Sequence, residues 1–98
     1  MERLKRPAIL VVDMLNDFVY GALTCERGKA IVPATAALLD AARQKGVPVI
    51  FCNDAHRKGI DRELTIWGDH AIAGTPGAEV IPELNLSEGD YVVAKRRY

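Results

Sequence analysis

Three short apolar runs, each closed by a charged or polar residue, set the pattern of this chain. Ala8-Ile9-Leu10-Val11-Val12 ends in Asp13, Val47-Pro48-Val49-Ile50-Phe51-Cys52 leads into Asn53-Asp54-Ala55-His56, and Tyr91-Val92-Val93-Ala94 ends in Lys95. Apolar runs of this length without strict alternation predict strands buried on both faces, the habit of a parallel sheet. Between the first two runs, Ile31, Leu38, Leu39 and Ala42 recur at helical period across residues 31–45, and Gly46 supplies a stop signal. Strand, helix and strand within about forty residues predict a βαβ unit with a right-handed crossover, and therefore parallel strands. The first strand is expected to lie centrally, with the Val47 and Tyr91 strands on either side, because a switch point there lets Asp13 reach both Lys95 and the Asp54 loop.

Elsewhere the pattern is weaker. Residues 14–21 mix apolar and polar side chains and read as a loop ending in a turn. Asp61 predicts the cap of a short helix through Ile66, Thr75-Pro76-Gly77 the start of another, and Pro82 argues against a long helix there. A stretch this long and weakly patterned, with Trp67, Asp69 and His70 in its middle, is functional or poorly ordered. Tyr91 and the Leu38-Leu39 face read as core, and Arg96 and Arg97 as solvated.

Ninety-eight residues allow one small domain with a modest core. The 13 basic and 13 acidic residues balance, so nothing points to nucleic acid or to a membrane surface. The apolar run before Asp13 is too short for a signal peptide or a span, and a cytoplasmic protein is expected. Cys25 and Cys52 lack a CxxC spacing and are expected as free thiols. The third strand has no following helix to cover its second face, so the chain is expected to be the N-terminal part of a larger α/β domain.

Ligands of open parallel sheets bind beyond the carboxyl ends of the strands, which makes Asp13, Asp54, His56 and Lys95 the first residues to consider. Taken with Val11-Val12-Asp13-Met14-Leu15-Asn16-Asp17-Phe18, Asn53-Asp54-Ala55-His56, Trp67-Gly68-Asp69-His70, Gly74-Thr75-Pro76-Gly77-Ala78-Glu79 and Val92-Val93-Ala94-Lys95, the chain resembles the isochorismatase-like cysteine hydrolases, the superfamily of nicotinamidases, isochorismatases and N-carbamoyl amide hydrolases. The resemblance implies a Rossmann-like three-layer α/β/α fold with a parallel sheet, of which residues 1–98 would be the N-terminal part. It implies Asp13 as general base and Lys95 as its electrostatic partner, both serving a nucleophilic Cys. A nearby cation lowers a thiol pKa, and a carboxylate accepts the proton and passes it to the leaving amine. Cys25 and Cys52 do not occupy the family's nucleophile position, so that Cys is expected beyond this chain.

The same resemblance places Asp54, His56 and His70 at the positions that hold a divalent cation in nicotinamidases. One carboxylate and two imidazoles suit zinc, iron or manganese. Phe18 and Trp67 are read either as pocket lining around a small-molecule substrate or as ordinary core. The expected activity is hydrolysis of a small amide such as nicotinamide, with isochorismatase or N-carbamoyl amide hydrolysis as the nearest alternative. A complementary C-terminal segment and a homo-oligomer are the expected protein partners. Two other classes compete. A phosphoacceptor receiver module would need an acidic pair after the first strand and leaves His56 and His70 without a role. A non-catalytic fragment or interaction subunit would follow from the missing Cys.

Overall fold

The three apolar runs pair in parallel. The computed structural model describes residues 5–97. Strand β1 (Ile9–Val12) pairs with β2 (Val49–Asp54) from Ile9 opposite Val49 to Val12 opposite Cys52. On its other side β2 pairs with β3 (Tyr91–Lys95), from Ile50 opposite Tyr91 to Asp54 opposite Lys95. The order is β1-β2-β3, so β2 is central and the expectation of a central β1 is corrected. The expectation rested on Asp13 having to touch both neighbours directly. Strands lie about 4.8 Å apart, and the long Lys95 side chain spans the end of β2 to reach Asp13 from the far strand.

Helices α1 (Asn16–Val19), α2 (Glu26–Ala30) and α3 (Val32–Gln44) fill the crossover from β1 to β2, and α4 (Glu63–Trp67) follows β2. Single 3₁₀ turns at Pro76–Ala78 and Pro82–Leu84 lead towards β3. Helix α3 begins with Pro33 in its first turn, where the missing N–H costs nothing, and ends at Gly46, whose φ of 71° lies in the left-handed region. Gly46 N–H donates to Arg43 O at 3.2 Å and Val47 N–H to Ala42 O at 2.9 Å, the two bonds of a Schellman motif. The motif turns the chain directly into β2.

The core gathers Val11, Val49 and Phe51 from one face of the sheet, Leu39 and Ala42 from α3, and Ile81 and Leu84 from the later loop. Leu39 is fully buried, but Leu38 is exposed, because adjacent helical residues point about 100° apart and only one stripe meets the sheet. Tyr91 is likewise exposed. It shares the opposite sheet face with Leu10, Val12 and Val93, all more than half exposed, so among the described residues that face is bare, while the packed face covers β1 and β2 and leaves Val92 of β3 exposed.

Three local expectations also change. Residues 14–21 contain the helical turn α1, too short to show a period, which buries Val19 behind the buried Leu15. Asp61 does not cap α4, whose N-cap is Arg62 without a side-chain bond, and Arg96 is not a solvated cation, since it hydrogen-bonds Asp61. Both thiols are free as expected. Among the described residues no helix is long and apolar enough to cross a membrane.

A charged clamp ties the end of α3 to the turn before β3. Arg43 donates through Nε to Asp90 Oδ1 at 3.3 Å and through Nη2 to Asp90 Oδ2 at 2.8 Å and Leu84 O at 2.9 Å. These bonds hold the Asp90 carboxyl below its ordinary pKa against the opposing cost of burial, and the Ser87 amide assists. A lowered folded-state value means that the unfolded chain takes up the proton first. The contribution is complete above about pH 4 and is lost as pH falls through the folded value. Urea midpoints measured from neutral pH downwards should therefore fall less steeply on the acid side for Asp90→Asn than for the wild type. Leu39→Ala should cost about 2–5 kcal/mol at neutral pH by the same measurement.

Candidate functional site

Parallel pairing puts all three carboxyl ends at one edge of the sheet. Asp13 follows β1 with φ at 59°, a left-handed conformation that Asp tolerates better than most residues, and its N–H still donates to Cys52 O at 3.1 Å. That turn sends the carboxylate across to the neighbouring strand. Asp13 Oδ1 accepts from the Asp54 amide at 3.0 Å, and Oδ2 accepts from Lys95 Nζ at 3.1 Å. Lys95 Nζ also bonds Asp54 Oδ1, so the ammonium bridges two carboxylates. Burial pulls the Lys95 pKa down, but the hydrogen bonds and charges of Asp54 and Asp13 outweigh it, and the net value is raised. Lys95 is thus a fixed cation at neutral pH.

Beside this pair, Asp54, His56, Glu63 and His70 each offer one ligand atom, and the four atoms lie within 4.8 Å of one another. The expected residues Asp54, His56 and His70 come together, and Glu63 joins them from the first turn of α4. Glu63 was missed because an acidic residue at a helix start is favoured on any protein, and nothing local marks it among 13 acidic residues. His56 is fully buried, and its Nε2 has no hydrogen-bond partner, 3.5 Å from Asp54 Oδ2 and 3.6 Å from Glu63 Oε2.

The tautomers follow from the other ring nitrogens. His70 Nδ1 lies 2.7 Å from Gly68 O, and His56 Nδ1 lies 3.1 Å from Asp61 Oδ2. A carbonyl only accepts, as does an ionised carboxylate. Arg96 first, then the Arg57 amide, hold Asp61 far below the ordinary carboxylate range. Each Nδ1 therefore holds a proton, and in the neutral ring Nε2 is the nitrogen with a lone pair to present. An unpartnered buried lone pair among two carboxylates and a second imidazole fits a divalent cation.

The loop that carries His70 is held from behind by Asp17. Asp17 Oδ2 accepts from the Ala71 amide at 2.8 Å, where Ala71 has φ at 44°, and Ala71 O in turn accepts from the His56 amide at 2.8 Å. Gly21 and Gly77 crowd the Asp17 carboxylate so closely that a Cβ on either would overlap it. Asp17 sits in a stretch read from sequence as loop, and its role depends on a residue 54 positions away.

Asp13, Asp54, Glu63 and His70 form the polar wall of a cleft of ≈ 520 Å³, with Phe18 and Trp67 on its apolar side. The volume is in the range of small-molecule sites. Phe18 meets His70 edge-on at 5.6 Å between ring centroids, and Trp67 is 62% exposed, which removes core packing as the account of that residue. Neither cysteine lines the cleft. Cys25 Sγ accepts from the Gly28 amide at the start of α2, and Cys52 lies within β2.

The isochorismatase domain matches residues 7–98 of the chain. A probable inactive nicotinamidase of Arabidopsis thaliana is 39% identical over 108 residues, covering 99% of this chain and 55% of the relative. The crystal structure of N-carbamoylsarcosine amidase from Thermoplasma acidophilum superimposes with a TM-score of 0.86 at 40% identity, over 93% of this chain and 52% of that one. Pyrazinamidase of Pyrococcus horikoshii, solved in complex with zinc, gives 0.80 at 29% identity, over 93% and 52%. The chain spans about half the length of the curated relatives it matches.

The Asp17 frame can be tested through glycine. Gly77→Ala forces the Asp17 carboxylate off Ala71 and should destabilise by about 1–3 kcal/mol, as overpacking does. Gly89→Ala meets nothing within 4 Å and should be neutral or slightly stabilising in the same urea titration.

Proposed function

This chain belongs to the isochorismatase family of hydrolases, and from that membership we propose that its strand-end cleft serves hydrolysis of a small planar amide, nicotinamide first, by a thiol nucleophile. The observation that carries the proposal is the Asp13 carboxylate, held 3.1 Å from the Lys95 ammonium, in the wall of a cleft that Phe18 and Trp67 also line. In this reading Asp13 takes the thiol proton as sulfur attacks the amide carbonyl, then delivers it to the departing nitrogen, which leaves as ammonia. Lys95 favours the thiolate through its charge, and water completes hydrolysis of the thioester.

Because neither Cys25 nor Cys52 lines the cleft, the reading assigns the nucleophile to a segment outside residues 1–98. The bare apolar face of Leu10, Val12, Tyr91 and Val93 supports the packing of such a segment there. Phe18 and Trp67 would flank the planar substrate. Asp54, His56, Glu63 and His70 would hold a zinc, iron or manganese ion. Such an ion would supply Lewis-acid polarisation and a point of attachment for water or a ring nitrogen.

Two other readings have a specific observation behind them. The 40% identity to N-carbamoylsarcosine amidase favours a carbamoyl amide as substrate. The relative described as a probable inactive nicotinamidase, together with cysteines outside the cleft, favours a non-catalytic member.

Ammonia release from nicotinamide and from an N-carbamoyl amide separates these readings. With the remainder of the domain supplied, Asp13→Asn should retain the fold by circular dichroism and lose turnover by on the order of 10⁴. Residues 1–98 alone should show no turnover, and Cys25→Ala and Cys52→Ala should be silent when the remainder of the domain is present. Amide hydrolysis by residues 1–98 alone, lost on Cys52→Ala, would make Cys52 the nucleophile and overturn the assignment. His56→Ala should abolish Zn²⁺ uptake measured by atomic absorption, and retained stoichiometric zinc would remove His56 from the ligand set.

A further inference from the structure

His56 is fully buried and presents an unpartnered Nε2, so something must hold its ring in that orientation. We propose that Asp61, clamped by Arg96, is the positioning residue for His56. It fixes the Nδ1–H tautomer and aims the Nε2 lone pair at Asp54, Glu63 and His70. The inference rests on the reading of those residues as a cation site, but its first consequence, the tautomer, exists without any cation.

Every acceptor position on Asp61 is accounted for. Oδ2 accepts from His56 Nδ1 at 3.1 Å and from the Arg57 amide at 3.0 Å, while Oδ1 accepts from Arg96 Nε at 3.1 Å and Nη2 at 2.5 Å. The carboxylate is buried, and donors from three sides fix its plane. A planar guanidinium gripping one oxygen through two N–H groups leaves the other oxygen no freedom to turn away from the ring. Its backbone is held as well, through Asp61 N–H to Arg57 O at 3.0 Å and Leu64 N–H to Asp61 O at 3.2 Å, just ahead of the helix that carries Glu63.

The position of Arg96 gives the arrangement a second consequence. Successive residues leaving a strand point to opposite sides. Lys95 turns to Asp13 and Asp54 in front of His56, and Arg96 turns to Asp61 behind it. One strand end therefore sets both the Asp13 pair and the orientation of the buried histidine, and displacement of β3 would disturb both together.

Asp61→Asn separates positioning from mere packing. Arg96, with two N–H groups on one oxygen, would claim the amide oxygen, which breaks the Arg57 amide bond and leaves the NH₂ group facing His56 Nδ1. Nδ1 must then accept, and the ring proton moves to Nε2, where it blocks the lone pair. The experiment uses ¹⁵N-labelled protein stripped of metal, with the His56 ring nitrogens assigned by long-range ¹H–¹⁵N correlation and Zn²⁺ affinity measured against a chromophoric chelator.

On the neutral ring, reached by raising the pH until the ring ¹⁵N shifts no longer change, the wild type should show a protonated Nδ1 and a bare Nε2. Asp61→Asn should shift His56 towards the Nε2–H form and weaken Zn²⁺ about 10–100-fold, the usual effect of losing a partner behind a ligating histidine. Arg96→Met should weaken Zn²⁺ in the same direction, and Arg96→Lys should recover part of the loss. The Arg96 side chain is 43% exposed, so its variants carry the comparison if Asp61→Asn does not fold. A wild-type His56 whose neutral ring carries its proton on Nε2, or Asp61 and Arg96 variants with unchanged tautomer and Zn²⁺ affinity, would overturn the proposal. A wild type with the expected tautomer but no Zn²⁺ binding would remove the cation-site reading and leave the positioning of His56 supported.

Discussion

The Lys95 ammonium, shared between the carboxylates of Asp13 and Asp54, is the contact on which the rest of this site depends. Parallel strands deliver their carboxyl ends to one edge, which places two acidic groups close together where mutual repulsion would splay them. A cation lying between them offsets that repulsion and sets their spacing. It can do so only if β3 is in register with β2, so that Lys95 stands opposite Asp54, and if Asp13 takes the left-handed turn that swings its carboxylate towards β2. Backbone register, one unusual dihedral and one long side chain are thus parts of a single device.

Around this device the loops are organised by carboxylates that face backbone amides and side-chain cations. Asp17 holds the turn at Ala71, Asp61 stands behind His56, and Asp90 locks the approach to β3 through Arg43. Each is buried or closely crowded, and each has its oxygens satisfied by N–H donors, which is the condition for placing charge away from water. Irregular segments need such contacts because they lack the repeating backbone bonds of a helix or a sheet. The result is that His56 and His70, borne on loops, are each fixed through Nδ1, to Asp61 and to Gly68 O.

The sheet is well packed on the side of Leu39, Phe51 and Ile81 and bare on the side of Leu10, Val12, Tyr91 and Val93. The chemistry gathers at the strand ends, beyond the reach of that asymmetry. This explains how Asp13, Lys95 and the histidine cluster can be assembled within a chain that spans about half the length of its curated relatives.

By itself the sequence determined the three strands, the α3 helix and its glycine stop, the parallel pairing, and the residues at strand ends that carry charge. These are local or short-range properties, expressed in runs of apolar side chains and in the length of one crossover. Asp13, Lys95, Asp54, His56 and His70 were legible as candidates for the same reason, since each closes a run or stands in a recognisable block. The tertiary structure alone decided that β2 is central, because strand order depends on which edges find each other and leaves no trace in the hydrophobic pattern. It alone brought in Glu63, Asp61, Asp17 and Arg96. Such residues look like ordinary solvated charges until folding places an amide, a guanidinium or an imidazole in front of them, and the partner lies as much as 54 residues away.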